Sequence, residues 1–256
     1  MVTLAVERRE KIEELINENK SVLVADLAVH FDVTPETIRA DLLKLEKKGV
    51  LIRTYGGATL STGSGAELSY KERDVVNADA KHKIGAHAAR LIHSGETIFL
   101  DASTSSLYLA RNIKEKNGLT VITNAASIVA ELADCENIKL ISTGGLLSKR
   151  NMSYTGRFTE RTIRENFAAN KVFFSCKGVT VDRGLTDASE EEAYVKRAMI
   201  DVSDSVIFLC DHNKLGRKSI PVIAPLDCID TIITDVQLDR EWHETLEGLD
   251  IDIITV

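Results

Sequence analysis

One segment of the 256-residue sequence has the composition of an anion-binding loop: Asp101-Ala102-Ser103-Thr104-Ser105-Ser106. It directly follows the apolar run Thr97–Leu100 and directly precedes a stretch with helical periodicity. Hydroxyl groups at this position can donate to an anion, and the first N–H groups of the helix point outward at the positive end of its dipole. The segment therefore predicts a phosphate-binding loop, although an ordinary helix cap uses the same residue types.

Three other turns occupy equivalent positions at the ends of apolar runs: Thr123-Asn124, Thr143-Gly144-Gly145 and Cys176-Lys177-Gly178. Open α/β sheets bind their ligands at the carboxyl ends of the strands, where such turns converge. Four converging loops favour a pocket over four unrelated caps. We therefore predict that the ligand site includes these members of the three turns: Thr123, Asn124, Gly144, Gly145, Lys177 and Gly178.

Charged residues near the same strand ends are candidates for completing the site. Lys177 and Lys214 are cations that suit a phosphate, while Asp101 and Glu192 can accept hydrogen bonds from the hydroxyl groups of a ligand. Glu192 also has a purely structural interpretation, because it belongs to a run of three glutamates that opens a helix, where acidic residues suit the dipole. Lys196 lies four residues later, at the spacing of a helical ion pair.

The elements that must position these residues alternate between strands and helices. Seven nearly continuous apolar runs indicate strands that are covered on both faces: Thr97–Leu100, Leu119–Thr123, Ile138–Ser142, Val172–Cys176, Val206–Cys210, Ile229–Thr234 and Ile251–Val256. Helical stretches separate most of them: 105–116, 125–134, 157–167, 189–202 and 238–247. This alternation predicts an α/β domain with a doubly wound, mostly parallel sheet.

The first 60 or so residues have a different pattern, with three short amphipathic helices and a β-like tail. The second helix carries an apolar stripe: Val24, Leu27, Ala28 and Phe31. After a brief turn, Thr34 suits an N-cap, and Pro35 needs no backbone donor at the first position of the third helix. Two helices joined in this way fit the major groove of DNA, and the tail ending at Gly56-Gly57 predicts a wing.

The third helix and the tail supply the candidate DNA contacts. A helix turns by about 100° per residue, which directs one set of side chains away from the predicted core residues Ile38, Leu42 and Leu45. The basic members of that set suit the phosphate backbone. The predicted interface comprises Thr34, Pro35, Glu36, Thr37, Arg39, Ala40, Leu43, Lys44, Lys47 and Arg53. The alternative is a three-helix protein-interaction module whose third helix is only solvated.

Composition limits the remaining classes of function. The formal net charge of −7 gives no general attraction to nucleic acid, so the DNA interpretation depends on the local arrangement of residues. No apolar run is long enough to span a bilayer, and the charged start resembles neither a signal peptide nor an anchor, which predicts a cytoplasmic protein. The four cysteines are far apart and the six histidines are scattered, so we predict no metal site and no cofactor.

The residues of the third helix and the tail closely resemble those of the DeoR-type family of bacterial regulators. The resemblance rests on Val33–Leu42 and Gly49–Ala58, and it extends into the second half of the chain. There the matching stretches follow the family's order: Leu100–Ser105, Val121–Asn124, Thr143–Gly145, Gly184–Asp187 and Asp211–Lys214. This chain has Ala40 where the family commonly has a second arginine, and Ala102-Ser103 where a glycine is usual.

The resemblance implies a DNA-binding transcriptional regulator, usually a repressor, that responds to a phosphorylated sugar held by Ser103–Ser106. It also implies a sensor domain similar in fold to ribose-5-phosphate isomerase. We expect a small winged helix-turn-helix domain over 1–58, a Ser/Gly-containing linker over 59–69 and a sensor domain over 70–256. The expected partners are double-stranded operator DNA, the sugar phosphate and further copies of the chain in a homodimer or homotetramer.

The alternative function is a sugar-phosphate isomerase with an accessory helical domain. Isomerisation by proton transfer needs a positioned carboxylate base and a group that stabilises an enediolate. Only Asp187 and Glu192 are near candidates, and the sequence has no convincing paired-acid stretch or glycine-rich lysine loop. We therefore predict that the chain has no catalytic residues and is not an enzyme.

Overall fold

The structure is a computed structural model that describes residues 5–19, 21–47, 50–54, 56–60 and 69–256, without the side chains of Lys47, Thr59 and Leu60. The chain divides into two compact units, Met1–Ala78 and Asp79–Val256. The predicted linker at 59–69 lies mostly outside the described residues. Its bounds, and the domain bounds on either side of it, therefore stay predictions.

Helices and a small sheet form the first unit. The apolar stripes that the sequence predicts are buried, including Ile12 and Ile16 of the first helix and Ile38, Leu42 and Leu45 of the third. Burying such stripes against each other stabilises three helices that would be marginal alone. The elements are α1 (Ala5–Asn19), β1 (Ser21–Leu23), α2 (Val24–Phe31), α3 (Pro35–Lys47), β2 (Leu51–Thr54), β3 (Gly57–Leu60) and α4 (Tyr70–Val75).

The sheet of this unit has the order β1-β3-β2, and both pairings are antiparallel. The β2–β3 hairpin is the predicted wing. Strand β1 was not predicted, because three residues are too few to show the alternation of apolar and polar side chains that indicates a strand. The pairing of β1 with β3 depends on Gly57, where an added Cβ would lie 2.1 Å from the carbonyl oxygen of Val22.

The second unit alternates strands and helices, as the sequence predicts. Each of the seven predicted apolar runs overlaps a strand of one large sheet, and each of the five predicted helical stretches overlaps a helix. The elements are α5 (Ala78–Ala88), β4 (Thr97–Leu100), α6 (Thr104–Asn112), β5 (Leu119–Thr123), α7 (Ala126–Leu132), β6 (Ile138–Ser142), β7 (Leu146–Ser148), β8 (Ser153–Thr155), α8 (Arg157–Asn166), β9 (Ala169–Phe174), β10 (Gly178–Thr180), β11 (Gly184–Thr186), α9 (Glu190–Asp201), β12 (Ser203–Cys210), β13 (Val222–Ala224), β14 (Thr231–Thr234), α10 (Arg240–Gly248) and β15 (Asp252–Thr255).

The large sheet is parallel throughout, with the strand order β15-β14-β12-β9-β4-β5-β6. From β4 the chain builds outward to β5 and β6, and from β9 it builds in the opposite direction. The order of the strands therefore reverses between β4 and β9. In an open parallel sheet, this reversal leaves a crevice at the carboxyl ends of the two strands, where such folds bind their ligands.

Two small antiparallel sheets flank the large one, namely the β7–β8 hairpin and the sheet β10-β11-β13. All five of their strands have three residues, which explains why the sequence pattern did not reveal them. The core of the unit includes fully buried Phe99, Phe173, Phe174 and Phe208. No helix in the described part of the chain combines the length and the apolar character needed to cross a membrane.

Candidate functional site

The turn between α2 and α3 sets the direction of the candidate reading helix. Asp32 ends α2 in a left-handed conformation with φ of 51°, and its N–H reaches back to Ala28 and Val29. The hydroxyl of Thr34 accepts a hydrogen bond from the N–H of Thr37 at 3.3 Å, as an N-cap does. Pro35 is the first residue of α3, as predicted. The turn thus leaves the start of α3 open to solvent.

The outer face of α3 carries most of the predicted DNA contacts. Seven of them are exposed, namely Thr34, Pro35, Glu36, Arg39, Ala40, Leu43 and Lys44, and Thr37 is partly exposed. The side chain of Lys47 lies outside the described residues. The side chains that the helical period directs away from the core therefore share one solvent-facing surface, which includes short and basic residues.

Two of the predicted arginine contacts are held by glutamates. Arg39 pairs with Glu36 at 2.7 Å on the exposed face of α3. Arg53 of β2 donates from Nε to Glu46 at 2.8 Å and from its backbone N–H at 2.9 Å, which ties the wing to α3. An exposed ion pair is weak, so a phosphate can replace Glu36 as the partner of Arg39 at little cost.

The opposite side of α3 is fixed by a buried ion network that the sequence analysis missed. Asp41 accepts from Arg8 Nε at 2.6 Å and from Arg9 at 3.1 Å, and the Asp41 side chain is only 4% exposed. The partners are more than 30 positions apart in the chain, so neither spacing nor periodicity reveals the network. It locks the reading helix onto α1.

In the second unit, the loop after β4 lies where the strand order reverses, and Asp101 organises it. Asp101 Oδ1 accepts from the hydroxyls of Ser103 at 2.6 Å and Ser106 at 2.5 Å, while Oδ2 accepts from the N–H of Ser175 at 3.2 Å. Ser103 also caps α6 by accepting from the N–H of Ser106 at 3.1 Å. One carboxylate thus joins the end of β4, the start of α6 and the residue that follows β9.

These hydrogen bonds divide the residues of the predicted phosphate-binding loop into two groups. The hydroxyls of Ser103 and Ser106 already donate to Asp101, so they hold the loop together. Within the described residues, no group accepts a hydrogen bond from the N–H of Thr104 or Ser105, and the Thr104 hydroxyl has no partner. The donors that remain for an anion in this loop are therefore these two amides at the start of α6, together with the hydroxyls of Thr104 and Ser105, the latter of which only accepts from Lys214.

Lys214 supplies a cation beside those donors. Its Nζ lies 3.4 Å from the Ser105 hydroxyl, 2.5 Å from the Ser175 hydroxyl and 3.2 Å from Asp211. Burial is the largest single influence and by itself lowers the pKa of Lys214, but the neighbouring negative charges, foremost that of Asp211, together raise this pKa, so the ammonium stays charged. Lys214 therefore lies beside residues 101–106, called here the serine loop, although it is more than 100 positions from Ser105 in the chain.

Lys196 forms the centre of a second cluster, next to the first. Its Nζ pairs with Asp187 and lies 3.5 Å from Asp101 Oδ2. Burial lowers the pKa of Lys196, but the charges of Asp187, Asp101 and Glu192 more than reverse this and hold the pKa above its usual value. Helical spacing suggested an ion pair with Glu192, but the salt bridges of Lys196 are to Asp187 and Asp101, and Glu192 interacts with it only through its charge.

Glu192 is buried at the start of α9 and faces the β7–β8 hairpin. Its Oε1 accepts from the Ser153 hydroxyl and, at 3.4 Å, from the amide of Asn151. Burial raises the pKa of Glu192, although the charge of Lys196 and the hydrogen bond from Ser153 oppose this rise. Glu192 therefore does more than complement the helix dipole, because it connects α9, the hairpin and the Lys196 cluster.

Several other predicted ligand residues have structural tasks. Thr123 donates to the Leu100 carbonyl at 2.7 Å and accepts from the N–H of Ala125, so it joins two strand ends. Gly144 and Gly145 both have positive φ, and a Cβ on Gly145 would lie 2.0 Å from Thr159 Oγ1.

The third turn is similar. The N–H of Lys177 donates to the Thr186 carbonyl at 3.0 Å, and the Lys177 side chain is half-buried. A Cβ on Gly178 would lie 2.4 Å from the carbonyl oxygen of Arg217. Both residues therefore help to attach the small β10-β11-β13 sheet, and their contact with a ligand stays a prediction.

Asn124 differs from these residues in having an unused group. Its Nδ2 donates to the Tyr154 carbonyl at 3.0 Å, but its buried Oδ1 accepts no hydrogen bond from the described residues. A buried acceptor without a donor is costly, so such an atom marks a place for a ligand hydroxyl or a water molecule.

Two cysteines of this unit are buried at or just after the ends of strands. Cys176 and Cys210 are buried free thiols. Burial raises the pKa of Cys176 to about 12, so its thiol stays protonated and a poor nucleophile at neutral pH. Cys135 and Cys228 are free thiols too and are partly exposed.

Two family models match the chain. A model described as the DeoR-like helix-turn-helix domain matches residues 8–63. A model described as the DeoR C terminal sensor domain matches residues 76–236. The matches fall on the two compact units and follow the predicted order of a DNA-reading domain and a sensor domain.

Curated relatives match over almost the whole chain. The uncharacterized HTH-type transcriptional regulator YulB of Bacillus subtilis is 40% identical over 253 residues, which cover 99% of this chain and 97% of that protein. The HTH-type transcriptional repressor GlcR of the same species is 33% identical, with 97% and 95% covered. A putative aga operon transcriptional repressor of Escherichia coli O157:H7 is 31% identical, with 100% and 95% covered. These names confirm the prediction of a regulator and go against the isomerase alternative.

Among solved structures, ribose 5-phosphate isomerase A from Methanocaldococcus jannaschii is similar to part of the chain. The TM-score is 0.41 at 15% identity, and the match covers 54% of this chain and 55% of that one. A likeness of this size carries no functional argument.

Proposed function

Because this chain belongs to the DeoR family of helix-turn-helix transcriptional regulators, we propose that it represses a sugar-utilisation operon under the control of a phosphorylated sugar. Relatives named as repressors support the direction of control. Repression takes place in the cytoplasm, where the chromosome is. In this proposal, the sugar phosphate binds the second unit at the point where the strand order reverses.

One observation carries the effector site: unfilled anion donors and a charged lysine coincide at the reversal between β4 and β9. The N–H groups of Thr104 and Ser105 have no acceptor in the described residues, and Lys214 lies 3.4 Å from the Ser105 hydroxyl. A fold that binds ligands at this crevice and places donors and a cation there is suited to a phosphate.

The DNA site in the proposal is the exposed face of α3 together with the wing. Arg39 and Lys44 supply phosphate contacts, and the short side chains of Thr34 and Ala40 allow the start of the helix to approach the base edges. One such helix reads few base pairs, so we propose that two or four copies of the chain bind paired half-sites. Light scattering of the full chain at tens of micromolar tests this assembly, and a strictly monomeric protein would contradict it.

A thermal-shift screen of the full chain tests the effector class. Pentose and hexose phosphates are compared with the corresponding free sugars and with inorganic phosphate. The cognate sugar phosphate at saturation is expected to raise the melting temperature by about 5 °C or more, because binding to the native state alone stabilises it. The free sugar is expected to have no effect, because it leaves the buried donors unfilled.

The variant Thr104→Asp tests the location of the site. Aspartate suits the first turn of a helix and is similar in size to threonine, so the fold is retained, but its charge repels a phosphate. We expect the ligand-induced shift to disappear while DNA binding persists. Arg240→Asp makes an acidic change at the first position of α10 and serves as the control. If Thr104→Asp keeps the full shift, the loop is only a helix cap and the phosphate binds elsewhere.

A further inference from the structure

The proposed effector site is electrostatically asymmetric. At one end, Lys214 accompanies the unfilled N–H groups of α6. At the other end, Lys196 is surrounded by three carboxylates, because it contacts Asp187 and Asp101 and its charge also interacts with that of Glu192. Donors therefore predominate at the first end and acceptors at the second.

Glu192 has one oxygen to spare at the acceptor end. Its Oε1 is held by Ser153 and Asn151, but none of the described groups donates to Oε2. Glu192 as a whole is 5% exposed, so little of this side chain is open to bulk solvent. A ligand hydroxyl that donates to Oε2 would complete the hydrogen bonds of a buried carboxylate.

A second, independent group at this end also lacks a donor. Asn124 is 1% exposed, its Oδ1 is buried, and no described residue donates to it. Its Nδ2 holds the carbonyl of Tyr154, which is the neighbour of Ser153, so Asn124 and Glu192 bind adjacent residues of strand β8. Both unfilled groups are acceptors, and the ligand atoms that satisfy acceptors are hydroxyl or amine hydrogens.

We propose that Glu192 is a specificity-determining residue that restricts the effector to monophosphates of uncharged sugars. The phosphate takes the Lys214 end, and the hydroxyl groups of the sugar take the Glu192 and Asn124 end. A sugar bisphosphate or a phosphorylated sugar acid would bring a second anion against acceptors and carboxylates, without a donor to receive it. This inference rests on the proposed function and narrows the class of effector within it.

Matched ligand pairs test the inference on the full chain by calorimetry. Glucose 6-phosphate is compared with 6-phosphogluconate, and fructose 6-phosphate and fructose 1-phosphate with fructose 1,6-bisphosphate, alongside any monophosphate found in the thermal-shift screen. We expect each monophosphate that binds to be favoured over its more charged counterpart by about tenfold or more. Equal affinity within a pair, or a preference for the more charged member, overturns the inference and leaves the proposed function intact.

The variant Glu192→Gln identifies the residue responsible. It keeps the size of the side chain and its bond to Ser153 but removes the charge, so we expect the preference for the uncharged sugar to fall about tenfold. Glu190→Gln is the matched control, because it removes the same charge from an exposed residue two positions earlier on α9. It is expected to leave the preference unchanged. An unchanged preference in Glu192→Gln overturns the role of Glu192.

The remaining outcomes are also decisive. The comparison within ligand pairs uses the wild-type chain, so it holds even if Glu192→Gln fails to fold. If no pentose or hexose phosphate in the screen binds, the proposed function fails, and the inference fails with it. If sugar phosphates bind with the same affinity whether or not they carry a second charged group, the inference is rejected and the proposed function stands.

Discussion

Each of the two units buries a charged triad, and the two triads have opposite signs. In the first unit, the carboxylate of Asp41 lies between the guanidinium groups of Arg8 and Arg9. In the second, the ammonium of Lys196 lies between the carboxylates of Asp101 and Asp187. The first triad has an excess of positive charge and the second an excess of negative charge. Buried ions need such partners, because each loses its hydration.

The position of each triad relative to the candidate contacts is what distinguishes the two units. Asp41 fixes α3 from its buried side, while Arg39 and Lys44 stand on the exposed side of the same helix. In the second unit, Asp101 belongs both to the triad and to the serine loop. Under the proposed function, the first unit therefore uses different residues for stability and for recognition, whereas the second uses Asp101 for both.

The largest expected effect is the loss of stability when the triad of the first unit is broken. Asp41→Ala removes the carboxylate that buried Arg8 and partly exposed Arg9 contact, which costs about 3–5 kcal/mol of stability. Urea denaturation of the full chain, followed with a probe in the first unit, measures this loss. Glu36→Ala removes an exposed partner of Arg39 and is the control, with an expected loss below about 1 kcal/mol. Similar losses in the two variants would show that the buried network has no special role.

The contrast between the units also explains what the sequence could predict. The exposed face of α3 and the seven strands of the large sheet follow from local periods of 3.6 and from continuous apolar runs, so a short window of sequence contains the information. The edge strands β6 and β15 are less buried than such runs predict, because each has only one neighbouring strand. The serine loop was recognisable because its residues are contiguous. Local patterns therefore predicted the surface of the reading helix and one wall of the ligand site.

The rest of the site depends on pairings across long stretches of chain. Lys214 reaches Ser105 only because β12 and β4 end on either side of β9, and the strand order is not encoded in any single segment. The contacts of Ser175 and Ser153 are equally non-local. Ser175 follows β9 and donates to Asp101, and Ser153 lies in β8 and donates to Glu192, so each contact joins distant parts of the chain. No spacing rule could have found them.

A smaller effect tests whether recognition in the first unit is truly separate from stability. Arg39→Ala is expected to leave the melting temperature unchanged and to weaken binding to a promoter fragment that the wild-type protein shifts. The slope of log affinity against log salt should fall by about 1, because one phosphate contact is lost. Introducing an arginine by Ala40→Arg should change both quantities in the opposite direction. An unchanged affinity and slope in Arg39→Ala would remove this residue from the interface.

The smallest effect is a pH dependence of stability in the second unit, and it follows from the burial of Glu192. Burial raises the pKa of this carboxyl group in the folded chain above its ordinary value, despite the opposing charge of Lys196. The ionised form therefore destabilises the fold at neutral pH, and the penalty fades as the pH falls through the raised pKa towards the ordinary one. Glu192→Gln has no ionised form, so its advantage in melting temperature over the wild type should be greatest at neutral pH and shrink as the solution becomes acidic. Glu190→Gln removes the same charge from an exposed neighbour, and subtracting its profile leaves the effect of burial. If the difference in melting temperature between Glu192→Gln and the wild type stays constant with pH, Glu192 does not carry a buried charge. The Glu192 end of the site then lacks the negative charge that distinguishes it from the Lys214 end.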